Sequence, residues 1–400
     1  MHSNRREQDG HIYTVPSPDT YPFQWLWDSC YHAIILRHFD IESAKQEINS
    51  LFVAQHENGM LPHMIYWKQP ENKQFNWGRD DTSRLDWGKG GVSSITQPPI
   101  VALAVKQIIA IDDDRQFLSE VFPKLAQYYD YLLKYRIDDT GLAGIINPDE
   151  SGEDNSPRFD LALGLKSKQS SSQNFAARLE LVEKDRRQGF DLEKTRKTFW
   201  VYDVPFNCFL AENLEIMSKL ATKLGLSTEA RRYSKAASTL IQVINDQLLD
   251  EVDYWPIDGV GSRELRTVSW HLFAPMAAGI VTDKQAHSLI HRQLINNDDF
   301  LVRYGLRTVG KSDPAYDSEG FWRGPVWLGV NWWLWRGLSR YGYPELAHDI
   351  HVASLKLLEK SSFREYFNPE TGEGLGARDF TWGGLVLDMM ESNEFEENKL

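Results

Sequence analysis

A chain of 400 residues, 42% hydrophobic and 25% charged, carries enough apolar material for one large core or two smaller ones, which excludes disordered and fibrous classes. Its net charge of −13 disfavours nucleic acid and anionic membrane as partners, because neither is attracted to an acidic surface. No run approaches 18 apolar residues and no apolar stretch follows the first basic residues, so the expectation is a soluble, unexported, cytoplasmic protein. Cys30 and Cys208 read as two buried thiols in a reducing compartment.

Along the chain the periodicity is helical almost everywhere. Tyr21-Pro22-Phe23-Gln24-Trp25-Leu26-Trp27-Asp28-Ser29 leads into an apolar stretch from His32 to Leu36, and Ile41, Ala44, Ile48, Leu51 and Phe52 then keep the spacing of a core-facing helix. Further helical stripes lie at 98–111, 116–136, 204–224, 228–249, 284–296, 325–341, 345–360 and 382–392. Pro205 and Pro325 suit first helical turns, Thr282 with Gln285 suits a capping box, and Gly59, Gly225 and Gly342 suit helix stops. Alternating strands are scarce. Helices joined alternately by short links and by long loops rich in Trp, Gly, Asp and Pro, with no fixed repeat length, predict an all-α (α/α)6 barrel: a double ring of helices forming one catalytic domain over 1–400. Antiparallel bundles in two domains are the alternative. Residues 166–198, polar and then densely charged, read either as a solvated insertion or as a lid within that domain, with Arg187 and Arg196 as anion contacts.

Fourteen Trp, 16 Tyr and 19 Phe cluster in loops with Gly, Pro and Asp. Core packing accounts for many of them, but Trp25, Trp27, Trp67, Trp77, Trp87, Trp322 and Trp382 sit near polar groups, as a sugar site requires. The acidic turn Glu150-Ser151-Gly152-Glu153-Asp154-Asn155-Ser156-Pro157 and the later Glu365-Tyr366-Phe367-Asn368-Pro369 are each compatible with ordinary turn chemistry. Together they supply two carboxyl groups on separate loops, which suits general acid/base hydrolysis with the pair roughly 6.5–9.5 Å apart. Arg323, in Trp322-Arg323-Gly324-Pro325-Val326-Trp327, could pair with a catalytic carboxylate and hold it ionised, as suits the base. The acidic turn fails the spacing of a calcium loop, and hydrolysis by two carboxylates needs no cofactor, so neither a metal nor a cofactor is expected. No pair of the eleven His falls in an epimerase-like constellation; His32, His56 and His63 read as structural.

Four blocks in the same order, Gln24-Trp25-Leu26-Trp27-Asp28-Ser29, Glu150 to Ser156, Trp322 to Trp327, and Glu365-Tyr366 followed by Thr371-Gly372-Glu373-Gly374, resemble glycoside hydrolase family 63. The resemblance covers about residues 11 to 390. It is strongest to the short bacterial enzymes that hydrolyse mannosylglycerate and glucosylglycerate, with Tyr13-Thr14-Val15-Pro16-Ser17 adding to it, and more distant to trehalases. It implies an (α/α)6 barrel and inverting hydrolysis of a small glucoside or mannoside, with Asp154 as general acid and Glu365 as general base. Tyr21, Trp25, Trp27, Asp28, Trp322 and Arg323 would bind the sugar, and Gln97 and Tyr316 match polar positions near it. Hydrolysis of a neutral disaccharide and a catalytically silent sugar-binding toroid are the alternatives. The partner is a small glycoside; self-association is compatible with the sequence. Two departures stand out: only about 20 residues precede the Trp motif, which leaves little for a first helix, and 166–198 matches no motif of the family.

Overall fold

A computed structural model describes residues 1–67, 91–166 and 170–391, and the backbone of 88–89. The Trp77 and Trp87 expectations lie outside these residues. The described helices are α1 (Leu26–Leu36), α2 (Ile41–Phe52), α3 (Val101–Asp112), α4 (Arg115–Tyr131), α5 (Ser171–Arg187), α6 (Leu192–Thr195), α7 (Val204–Leu224), α8 (Ser227–Gln247), α9 (Ala274–Ala277), α10 (Asp283–Ile290), α11 (Leu328–Arg340), α12 (Pro344–Ser361) and α13 (Leu385–Glu391). Six of them touch in cyclic order: α1 meets α3, α3 meets α7, α7 meets α9, α9 meets α11, α11 meets α13, and α13 returns to α1. That closed ring, flanked by α2, α4, α8, α10 and α12, is the (α/α)6 barrel.

Sequence decides which helix goes to which ring. Every residue of α1 and all of Leu328–Leu338 in α11 are buried, as inner helices surrounded on all sides demand. By contrast α8 buries Ala230, Tyr233, Ala237, Leu240 and Ile244, one stripe at helical spacing, and turns its charged face outward. A sixth outer helix is missing among the described residues: the hairpin Arg5–Gln8/His11–Thr14 packs on α2 instead. Asn4 Nδ2 donates to Asp379 O (2.9 Å) and Thr381 N to Pro16 O (3.0 Å), fastening this segment to the start of the last inner helix.

Helix ends follow local chemistry with two exceptions. Thr282 and Gln285 form the capping box, and Gly225 and Gly342 take positive φ after α7 and α11. Pro325, however, precedes its helix, which starts at Leu328, because Val326 is held extended by paired hydrogen bonds with Phe367 (2.9 Å each). Gly59 lies in a turn beyond α2, which has already ended at Phe52. Short two- to five-residue strands are more numerous than the sequence suggested, mostly as hairpins in the long loops.

Candidate active site

Those long loops meet over one end of the ring around a cavity of about 590 Å³, within the size range of small-ligand clefts. Asp154 and Glu365, 211 residues apart, both line it, as do Tyr21, Trp25, Trp27, Asp28, Gln97 and Trp322.

The acidic turn is shaped from its own residues. Asn147 caps the short helix Pro148–Ser151 by accepting from Asp149 N (2.9 Å), and Gly152 follows at φ +74. A Cβ there would collide with the indole of Trp27, so glycine lets that ring lie flat on the turn. Each carboxylate of the turn then meets an arginine. Glu150 is paired with Arg136 and accepts from the backbone N–H groups of Thr96 (3.0 Å) and Ile146 (2.8 Å). Glu153 is held by Arg158 at 2.6 Å, and Asp149 by Arg178 at 2.6 Å. Asp154 also pairs with Arg178, Nη1 to Oδ2 at 2.6 Å, but its side chain keeps 24% of its surface exposed. Burial pushes Asp154 up to about 6; Arg178 opposes and Asp149 reinforces that shift.

Glu365 sits on strand Arg364–Phe367, paired with Gly374–Arg378. Its Oε1 accepts from Tyr21 Oη at 2.6 Å and its Oε2 from Ala377 N at 2.8 Å. Gly376, at φ +64, leaves the space that Oε2 occupies. Burial raises Glu365 to about 7, the two donors pull it down, and Asp154 and Asp28 push it up. Removal from water outweighs both hydrogen bonds.

Aromatic rings make the walls. Trp322 stacks on Trp327 (3.7 Å between centroids, 6° between planes), and Trp327 stacks on Tyr366 (5.1 Å). Trp27 meets Trp382 edge-on (5.0 Å), and Trp382 Nε1 donates to Asp28 Oδ1 at 2.7 Å. Asp28 is pushed up to about 6 by burial. Gln97 Oε1 accepts from Trp27 N (3.2 Å), which fixes the first turn of α1 against the cavity. Such a wall of flat apolar faces interrupted by carboxyl and amide groups suits a sugar ring and its hydroxyls.

Several expected residues lie elsewhere. Arg323 does not face the cavity: its guanidinium forms a buried bidentate pair with Asp160 (2.7 and 3.0 Å), so it pairs with neither Asp154 nor Glu365. Asp160 also accepts from Asn174 of α5 (2.9 Å). Tyr316 is likewise outside the lining and donates to Glu370 (3.1 Å). Trp67 stacks on Tyr13 (4.7 Å) and bonds Gln24, behind the wall. Arg187 and Arg196 pair at the surface with Glu183 and Glu193.

Among the described residues the cation at the cavity is Arg178, which sequence reading missed. Ser171, Phe175 and Arg178 line the cavity from one face of α5, at positions i, i+4 and i+7. The capping box Ser170–Gln173 that starts this helix was legible as Ser-x-x-Gln. His63, expected to be structural, also lines the cavity; its Nδ1 lies 2.7 Å from Ser93 Oγ, and burial beside Arg178 pushes it down to about 3. Among the described residues no group of three His, Cys, Asp or Glu is arranged to hold a metal ion, and no helix is long and apolar enough to cross a membrane.

Known proteins of similar sequence and structure share this arrangement of helices. The family model for the mannosylglycerate hydrolase MGH1-like glycoside hydrolase domain matches residues 21–383. A mannosylglycerate hydrolase of Thermus thermophilus is 31% identical over 403 residues, covering 94% of this chain and 95% of that protein. A glucosylglycerate hydrolase of Mycolicibacterium hassiacum is 25% identical, covering 96% and 95%. The crystal structure of a family 63 mannosylglycerate hydrolase from Thermus thermophilus, in complex with Tris and D-glycerate, superposes with a TM-score of 0.84 at 30% identity over 97% of both chains. Matched along nearly its whole length in sequence and in fold, the chain belongs to the mannosylglycerate hydrolase MGH1-like family of glycoside hydrolases, within glycoside hydrolase family 63.

Proposed function

We propose that this chain hydrolyses the α-glycosidic bond of a small hexosylglycerate, glucosylglycerate or mannosylglycerate, with inversion at the anomeric carbon. Asp154 is the general acid that protonates the glycosidic oxygen, and Glu365 is the general base that takes a proton from the attacking water. The observation that carries the reading is that two largely buried carboxyl groups share one aromatic-walled cavity with a buried arginine, Arg178, beside the acid. Trp27, Asp28, Gln97 and Trp322 offer stacking faces and hydrogen-bonding groups for the sugar, while Arg178 offers a cation for the carboxylate of a glycerate. A neutral disaccharide fits less well, since it brings no anion to Arg178. Residues 166–198 act in this reading as a cover within one catalytic domain, their helix α5 closing the cavity with Ser171, Phe175 and Arg178. The acidic surface and the two buried unpaired thiols support a cytoplasmic setting.

The test is a panel of glucosylglycerate, mannosylglycerate, trehalose, kojibiose and nigerose, with the anomer of the released sugar followed by NMR. Turnover of a hexosylglycerate with the β-sugar appearing first is expected, abolished by Asp154→Asn and by Glu365→Gln. Initial release of the α-anomer, or full turnover in either variant, would contradict the assignment.

A further inference from the structure

Arg178 joins two carboxylates in an ordered chain. Its Nε and Nη2 donate to Asp149 (3.3 and 2.6 Å), which fixes the guanidinium by one edge. The remaining arm, Nη1, reaches Asp154 Oδ2 at 2.6 Å. Among the described residues, the other groups around the guanidinium supply no second cation: the ring centroid of Phe175 lies 5.9 Å away, and buried His63 is neutral. One cation therefore faces two carboxylates, Glu365 adds a further carboxyl group across the cavity, and an incoming anion leaves an excess of negative charge unless a carboxylate takes up a proton. Asp154, the more exposed of the pair and the one held by a single arm, is the group placed to do so.

Resting on the hexosylglycerate reading, we propose that Arg178 is a substrate-operated proton switch: the aglycone carboxylate takes over Nη1, Asp154 loses its cation and gains a proton, and the acid is loaded only when an anionic aglycone is bound. During turnover the C1–O bond to the glycerate breaks as Asp154 passes its proton to that oxygen. The water oxygen bonds C1 as its proton goes to Glu365. The site is left with Asp154 ionised and Glu365 protonated. Ionised Asp154 then competes for Nη1 and displaces glycerate, Glu365 returns its proton to solvent, and the next substrate draws a proton onto Asp154. Burial raises both carboxyl groups, Asp154 to about 6 against the pull of Arg178 and Glu365 to about 7 against its two hydrogen bonds, so while Arg178 stays on Asp154 the site favours that end state. Arg178 thus holds the aglycone carboxylate and, through that exchange, sets the protonation of Asp154.

The first experiment titrates the wild-type protein with D-glycerate at pH 7 in two buffers of different ionisation enthalpy. Uptake of about one proton per glycerate is expected, because loss of the cation carries Asp154 from mostly ionised to mostly protonated at that pH. Binding without proton uptake overturns the switch. The second compares kcat against pH for a hexosylglycerate and the matching hexosylglycerol. The alkaline limb for the glycerate lies at least about one pH unit higher, because it reports the acid in the bound state; coincident limbs overturn the proposal. Arg178→Gln raises kcat on the hexosylglycerol above wild type while raising KM for the hexosylglycerate, and an equal loss on both substrates assigns Arg178 a purely structural role. Failure of the wild type to hydrolyse any hexosylglycerate sinks the functional reading itself, whereas turnover without proton coupling sinks the switch alone.

Discussion

Replacing Tyr21 by Phe tests whether the phenol serves the base or only the sugar. Tyr21 Oη donates to Glu365 Oε1 at 2.6 Å, and the bond favours the ionised carboxylate that a base needs. A hydrogen bond to a charged group contributes about 1.5–3 kcal/mol, and at about 1.36 kcal/mol per unit its loss lifts Glu365 by roughly one to two pKa units. With Asp154 at about 6 and Glu365 at about 7, the form that the proposed mechanism requires, Asp154 protonated and Glu365 ionised, is the minority form of a coupled pair. Raising Glu365 further cuts that form by roughly tenfold to nearly a hundredfold near pH 6.5, and by no more than about twofold at pH 9, where Glu365 is at least about half ionised in the variant as well. The assay is kcat/KM against pH, which reports the free enzyme. In Tyr21→Phe the alkaline limb moves from about 7 toward 8–9 and the defect shrinks as pH rises. A loss of equal size at every pH would show that Tyr21 contacts only the sugar, and the reasoning about the base would be wrong.

In Gly376→Ala the new Cβ falls within contact distance of Glu365 Oε2 at a φ of +64, so the carboxylate must move. A displacement near 1 Å costs on the order of a hundredfold in kcat, and kinetics alongside a melting curve separate this from unfolding. For the buried Asp160–Arg323 pair, Arg323→Met leaves an uncompensated carboxylate and should cost about 3–5 kcal/mol by denaturant unfolding; the double variant with Asp160→Asn should cost less than the single, and additivity would refute the pairing. Asp185, buried near the end of α5 with Oδ1 unbonded among the described residues, is raised from 3.8 to about 7, first by burial and then by Glu150. The folded state therefore holds more protons between those values, and stability falls as pH rises from about 4 to 7. Asp185→Asn should abolish about 2–4 kcal/mol of that fall, seen as a smaller difference in melting temperature between pH 5 and pH 8; an unchanged difference counts against it.

Most inner and outer helices were legible because their burial is apolar and periodic: α8 shows one stripe, and α7 spans the residues its pattern and Pro205 indicate. Helix α5 was not legible as a site helix for the same physical reason in reverse. Its buried positions, Asn174, Arg178, Leu179, Leu181, Val182 and Asp185, keep to one side of the helix, yet three of the six are polar or charged. A pattern scored on hydrophobicity sees a solvated charge run there, because α5 packs Leu179, Leu181 and Val182 on the core while Arg178 turns to the cavity, and the buried polar residues break the apolar stripe. The same cause misdirected Arg323. Beside Trp322 it looked like a ligand for the sugar or the base, but its partner Asp160 stands 163 residues away and no local pattern announces it. The turns that carry Asp154 and Glu365 were visible in the sequence, but the family resemblance singled out those two carboxyl groups; Gly152 and Gly376 mark backbone there that another group approaches closely. In this barrel the glycines point to where the carboxylates sit, and the polar face of an apparently soluble helix points to what holds one of them charged.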